Sequence, residues 1–238
     1  MRRILITNDD GIESDGIRRL AETAKEFGEV WIVAPESQRS AASHSITLRH
    51  PIDVHPYKFE VEGVHAFSCT GTPGDCVRVG VLSIMPQKPD VIMSGINFGY
   101  NVASDIQYSA TAGAAFEGEF QKILSIAFSE GMTGVHEVTD KYLRDIMAEL
   151  IDKPYVEGQI WNVNFPHCKI EECKGVLRDR RVSRKSFYTD SYRPVEEFAN
   201  GGVSLMVDGV FKPETDEGTD YGAVLDNYVS IGTVRNIS

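Results

Sequence analysis

The sequence predicts an α/β fold on a mostly parallel β-sheet, with β-hairpins appended toward the C-terminal end. Three observations carry this expectation. Short β-branched apolar runs alternate with stretches of helical period as far as residue 166. The chain opens on a strand–loop–helix–strand unit, which implies parallel strands covered by a helix. From about residue 167 the texture changes to short alternating segments separated by Gly, Pro and Asp.

The elements follow in order. Residues 2–7, RRILIT, are a short β-branched strand, and residues 14–27 place Ile17, Leu20, Ala21 and Ala24 on one helical face. Residues 29–35, EVWIVAP, are a second buried strand stopped by a proline. Thr72 and Pro73 have the form of an N-cap and first helical position for a helix through about Ile84, and PDVIMSG at 89–95 is the next strand. A helix rich in small residues is expected from Ser109 to about Gln121, then a strand at 123–129, ILSIAFS. Thr139 or Asp140 is the expected cap of an amphipathic helix whose inner face carries Tyr142, Leu143, Ile146, Met147, Leu150 and Ile151. QIWNVNFP at 159–166 supplies a further strand. GVSLMV at 202–207 and NYVSIGTV at 227–234 read as hairpins added to the sheet, either arms for an oligomer or an ordinary antiparallel edge.

Composition bounds the function. A chain of 238 residues is expected to form a single domain, with residues 167–238 as its hairpin-rich part. The formal net charge of −11 repels polyanions, so no nucleic-acid polymer is expected as partner. A small phosphorylated substrate stays open, because a bound cation reverses the potential inside one pocket. The apolar run before the first acidic residues is too short for a signal peptide or membrane helix, so a cytoplasmic protein with no membrane partner is expected. Cys69, Cys76, Cys168 and Cys173 form no CxxC pair and are expected as reduced thiols, not zinc ligands.

The most informative segment is Asn8, Asp9, Asp10 and Gly11, directly after the first strand. In an open parallel sheet ligands bind at the carboxyl ends of strands. Two adjacent carboxylates repel each other unless a cation neutralises them, and such hard oxygen donors suit Mg²⁺, Mn²⁺ or Ca²⁺. Gly11 allows a sharp turn. In another arbitrary loop the same four residues would be only a turn. Haloacid-dehalogenase-type phosphatases carry Asp-x-Asp-Gly with the first Asp as nucleophile, a place held here by Asn8. Response-regulator receiver domains need a phosphoacceptor Asp ending a later strand, and Asp53 lacks the apolar run that should precede it.

The segments ILITNDDGI (4–12), VAPESQRSAASHSIT (33–47), GTPGDCV (71–77) and SGINFGYNVASDIQYSATAGAAFEG (94–118) resemble the stationary-phase survival protein SurE family in order and spacing. NVNFP (162–166) and TDYGAVLDNYVSI (219–231) extend the resemblance over most of the chain. It implies a Rossmann-like three-layer α/β sandwich and a metal-dependent 5′-nucleotidase, with 3′-monophosphates as further substrates. By position, it implies one divalent ion per subunit, Mg²⁺ or Mn²⁺, on Asp9, Asp10, Ser40 and Asn97, with Asp9 and Asp10 as the catalytic pair. Asn8, Ser43, His44, Asn101, Ser109 and Thr111 are the expected substrate-binding residues, a nucleoside monophosphate is the expected substrate, and a homodimer or homotetramer is the expected assembly. Ser109 and Thr111 have helix capping as their alternative role, and Thr72, Pro73 and Asp75 are expected to be architectural. Three departures stand out: Phe98 where many members carry a polar or basic residue, Ala103 for a common Gly, and Ala110 within SAT in place of SGT. Phe98 and Ala110 are the features that favour a non-catalytic nucleotide-binding protein on the same fold.

Overall fold

The computed structural model describes residues 1–236. A nine-stranded sheet forms its centre, built from β1 (Arg3–Thr7), β2 (Glu29–Pro35), β3 (Val54–Pro56), β4 (His65–Cys69), β5 (Val91–Phe98), β6 (Leu124–Glu130), β7 (Gln159–Phe165), β8 (Val176–Arg180) and β11 (Val229–Arg235). Their order is β3-β4-β2-β1-β5-β6-β7-β11-β8. The six strands from β4 to β7 run parallel, whereas β3 on β4 and β11 on β7 are antiparallel.

Alternation along β1 dictates the layers, since successive strand residues point to opposite faces. Ile4 and Ile6 pack in one core with Ile17, Leu20, Ala21 and Ala24 of α1 (Asp15–Ala24) and with Leu143, Ile146, Met147 and Leu150 of α4 (Glu137–Leu150). Leu5 faces the other way, into a core with Cys76 and Val77 of α2 (Pro73–Val79) and Ala114 of α3 (Ala110–Phe120). A three-layer sandwich results, as expected from the family resemblance. Thr72 caps α2 in a reciprocal box with Asp75, and the helix continues as a wider turn at Gly80–Ile84.

Three boundaries differ from the sequence expectation. The helix expected to start at Thr139 or Asp140 begins at Glu137, because those two side chains are used in tertiary bonds: Thr139 donates to Glu130 at 2.6 Å and Asp140 accepts from Arg19 at 2.5 Å. The strand expected to end at Gly95 runs on to Phe98. NYVSIGTV is not a hairpin arm but contributes β11, inserted between β7 and β8 and mostly buried. The actual hairpin is β9 (Tyr188–Glu197) with β10 (Val203–Phe211), a separate antiparallel ribbon preceding α5 (Asp220–Leu225). All four cysteines are unbridged, and no helix among the described residues is long and apolar enough to cross a membrane.

Candidate active site

Strand order reverses at β1, with β2 on one side of it and β5 on the other, while all three strands stay parallel. A crevice opens outside the carboxyl ends of strands at such a reversal. The loop after β1 delivers Asp9 and Asp10 there, and β5 ends there at Phe98, whose N–H donates to Asp10 Oδ2 at 2.9 Å. Gly11 takes φ +99°, which lets the chain leave the crevice, and Ile12 N–H bonds to Pro35 O at 2.9 Å.

Asp9 is only 4 % exposed, and its Oδ1 accepts from Thr111 Oγ1 at 2.6 Å. Burial pushes its carboxyl up to about 6 and the neighbouring Asp10 adds to this, while the Thr111 bond opposes. Asp10 is raised as well, by burial first, against hydrogen bonds from Phe98 and Gln38. Gln38 Nε2 donates to Asp10 Oδ1 at 3.3 Å and to Ser40 Oγ at 3.0 Å, so one amide spans two of the expected ligands. The Asn97 amide nitrogen donates to Gly99 O at 2.8 Å, which leaves its carbonyl oxygen available to ligate a cation.

A cavity of about 480 Å³ collects Asp9, Ser40, Asn97, Asn101 and Ser109. Asp10 lies on an adjoining cavity of about 330 Å³ with Gln38, Phe98, Glu130 and His136. Thr111 is fully buried behind Asp9. Asn8, Ser43 and His44 do not reach the main cavity. The Asn8 amide donates inward to Gly11 O and Ser14 Oγ, at 2.9 and 2.7 Å, and His44 Nε2 lies 3.0 Å from the buried Glu117 of α3. Ser43 is a backbone anchor: its N–H donates to Tyr108 O at 3.1 Å, and its carbonyl lies against Gly113. The Asn8 amide nitrogen, the Ser43 backbone and His44 Nε2 are used within the fold while Asn8 Oδ1 is buried without a partner, so the main cavity lends no support of its own to substrate contact by these three.

Ser109 caps α3, accepting from Ala112 N–H at 3.0 Å. The N–H groups of Ala110 and Thr111, at the first two helical positions, have no partner within the helix, but both residues are fully buried, and of this turn Ser109 is the residue that lines the cavity. The Ala110 methyl does not intrude: the residue is fully buried and absent from the cavity wall. Asn101 is mainly a structural node. Its backbone N–H donates to Asn164 at 2.8 Å, its amide to Ser129 at 2.8 Å, and its carbonyl accepts from Asn162 and Asn164. The two asparagines of NVNFP thus brace the cavity floor.

Sequence reasoning missed Gln38, and also Tyr100, whose hydroxyl lies 2.5 Å from His167 Nδ1 and whose ring lines the cavity. It missed Asp220 too, which accepts from the N–H groups of Ala103, Ser183 and Tyr221 and so fixes the turn leading into α3. Asp220 had a signal: Thr219-Asp220 is a helix start.

Fold and cavity together define an α/β protein with an oxygen-lined acidic site at the reversal point of its sheet, beside the Ser109 cap of a helix. The family model described as Survival protein SurE matches residues 4–187. A protein named 5′-nucleotidase SurE from Clostridium botulinum is 38% identical over 232 residues, covering 96% of this chain and 90% of that protein. One of the same name from Thermoanaerobacter is 35% identical, covering 98% and 92%. The crystal structure of the SurE protein from Aquifex aeolicus superposes with a TM-score of 0.82 at 34% identity, covering 99% of this chain and 94% of that one. The chain belongs to the SurE family.

Proposed function

We propose that the protein is a divalent-metal-dependent phosphomonoesterase that hydrolyses nucleoside 5′-monophosphates, and 3′-monophosphates as further substrates, to nucleoside and phosphate. The name shared by its relatives supports the nucleotidase reading. The observation that carries the metal requirement is the charge of the cavity. Among the described residues its wall holds Asp9, Asp105 and Asp190 and no Lys, Arg or His. A phosphate dianion would meet only like charge there unless a cation reverses the local potential.

The donor set fits a hard ion. Asp9, Asp10, Ser40 and Asn97 offer oxygen alone, which suits Mg²⁺ or Mn²⁺ better than zinc. The pair of raised carboxyls, Asp9 and Asp10, is what a cation would relieve. A divalent ion held there supplies charge neutralisation and Lewis acidity toward a phosphoryl oxygen.

The chain's own groups do the rest. Ser109, the cap of α3, reaches the cavity, and the positive end of the helix behind it stabilises charge spread over the phosphoryl oxygens during displacement. Asp9, held through its hydrogen bond from Thr111, accepts the proton of the attacking water in this reading. Asn101 and Asn97 hold the loop that closes the cavity floor. A screen of nucleoside 5′- and 3′-monophosphates against Mg²⁺ and Mn²⁺, read as released phosphate, tests this. Release from the 5′-monophosphates is expected. AMP binding without phosphate release from any mononucleotide would instead establish the non-catalytic binding protein.

A further inference from the structure

Part of the cavity wall lies away from the chemistry at Asp9 and comes from the foot of the β9–β10 hairpin: Ser186, Tyr188 and Asp190 line it, beside Tyr108 from the turn before α3. The foot is rigidly seated. Phe187 is buried, and its ring packs 4.8 Å from Tyr188, 4.9 Å from Tyr221 and 5.4 Å from Phe211. That cluster holds the Tyr188 ring at the wall with 37% of the residue exposed. Asp190 lies close enough to Asp105 for its charge to raise that carboxyl, which burial also raises. Lys185 faces Asp216 at 3.8 Å, Arg193 donates to Met206 Sδ at 3.4 Å, and Asp190 makes no ion pair among the described residues. The wall therefore offers an aromatic face and a carboxylate without a cationic partner.

An ionised carboxylate accepts hydrogen bonds and donates none. Among the bases, guanine presents two adjacent donors, N1–H and the 2-amino group, that match its two oxygens. Hypoxanthine lacks the amino group, and uracil flanks its single N–H with carbonyl oxygens that a carboxylate repels. Any base can stack on a tyrosine ring. We propose that the hairpin foot reads the nucleobase, Tyr188 stacking on the ring and Asp190 accepting its N–H groups, so that guanine nucleotides are preferred. This rests on the nucleotidase reading above and names its substrate.

The test is kcat/KM for GMP, IMP and dGMP in the wild type, Asp190→Asn and Tyr188→Ala. Asp190 is an exposed strand residue, so its amide variant keeps the fold. The wild type should favour GMP over IMP by about tenfold or more, because a site built to accept a substrate N–H discriminates against the analogue lacking it. Asp190→Asn should reduce that ratio to within about twofold and leave GMP against dGMP unchanged, while Tyr188→Ala should raise KM for all three. Equal wild-type rates on GMP and IMP, or an unchanged ratio in Asp190→Asn, would overturn the proposal while leaving the nucleotidase reading intact. A change confined to GMP against dGMP would place the ribose on Asp190 and also overturn it. Hydrolysis of none of the three by the wild type would remove the nucleotidase reading and this one together.

Discussion

Asp75 shows how a single carboxylate holds the segment that follows the Ser40 loop. Burial raises its pKa, but hydrogen bonds from Thr47 N–H and from the N–H and hydroxyl of Thr72 outweigh this and hold it below its ordinary value of 3.8. A carboxyl depressed in the folded state contributes stability that is complete above the unfolded pKa and is lost as pH falls through the folded one. Asp75→Asn should therefore lower the urea midpoint at pH 7, by an equivalent of about 1–3 kcal/mol for bonds to a charged acceptor. The gap from wild type should narrow below about pH 4. Ala103 illustrates opposing terms. Its φ of 54° is left-handed, which costs about 1–2 kcal/mol for an L-residue. Ala103→Gly relieves that strain but loses a buried methyl worth about 0.8 kcal/mol and adds backbone entropy of about 0.5–1 kcal/mol. The two sides cancel, so the swap should shift the urea midpoint by less than about 1 kcal/mol.

At the scale of elements, the loop from Pro35 to Thr47 is pinned to α3 from two directions. His44 and Arg78 both meet the buried Glu117, and Gly113 lies so close that an added Cβ would sit 2.6 Å from Ser43 O and 2.9 Å from His44 N. Those are backbone atoms, so Gly113→Ala must push the loop and carry Ser40 with it. A loss of about 1–3 kcal/mol in chemical denaturation is expected, together with weaker Mn²⁺ binding by calorimetry. The parallel β1–β2–β5–β6–β7 framework and its helices were legible in the sequence because each combines a periodic apolar pattern with a clear cap or breaker. β3 and β4 were not, being three and five residues long and carrying His and Pro. β9 was hidden because YTDSYRPVEE has no buried face to impose alternation. For β11 the pattern announced a strand but not its partner, since pairing depends on chain-distant neighbours. In the site, the acidic pair declared itself by following β1, whereas Gln38 and the hairpin foot are polar or aromatic residues of ordinary loops whose meaning arises only when the fold brings them to the cavity.

The whole molecule concentrates its exposed large apolar side chains on one element. The β9–β10 ribbon exposes Tyr192, Val195, Leu205, Met206, Val207 and Val210, each at 50% or more, and an isolated two-stranded ribbon is marginal in water. A second copy of the chain is the proposed cover for these residues: sedimentation should then give a dimer or larger assembly, and Leu205→Asp with Val207→Asp should reduce it to monomer. A monomeric wild type would contradict this. The same molecule, with net charge −11 and a cavity walled by carboxylates, is proposed to act on anions. That proposal stands on a cation at Asp9 and Asp10. The most direct test is phosphate release from AMP as Mn²⁺ is titrated into metal-free wild type and Asp9→Asn. The wild type should be silent without metal and rise to saturation with it, while folded Asp9→Asn should stay at least about 10³-fold below at every concentration. Full wild-type activity in excess chelator, or undiminished activity in Asp9→Asn, would contradict the account.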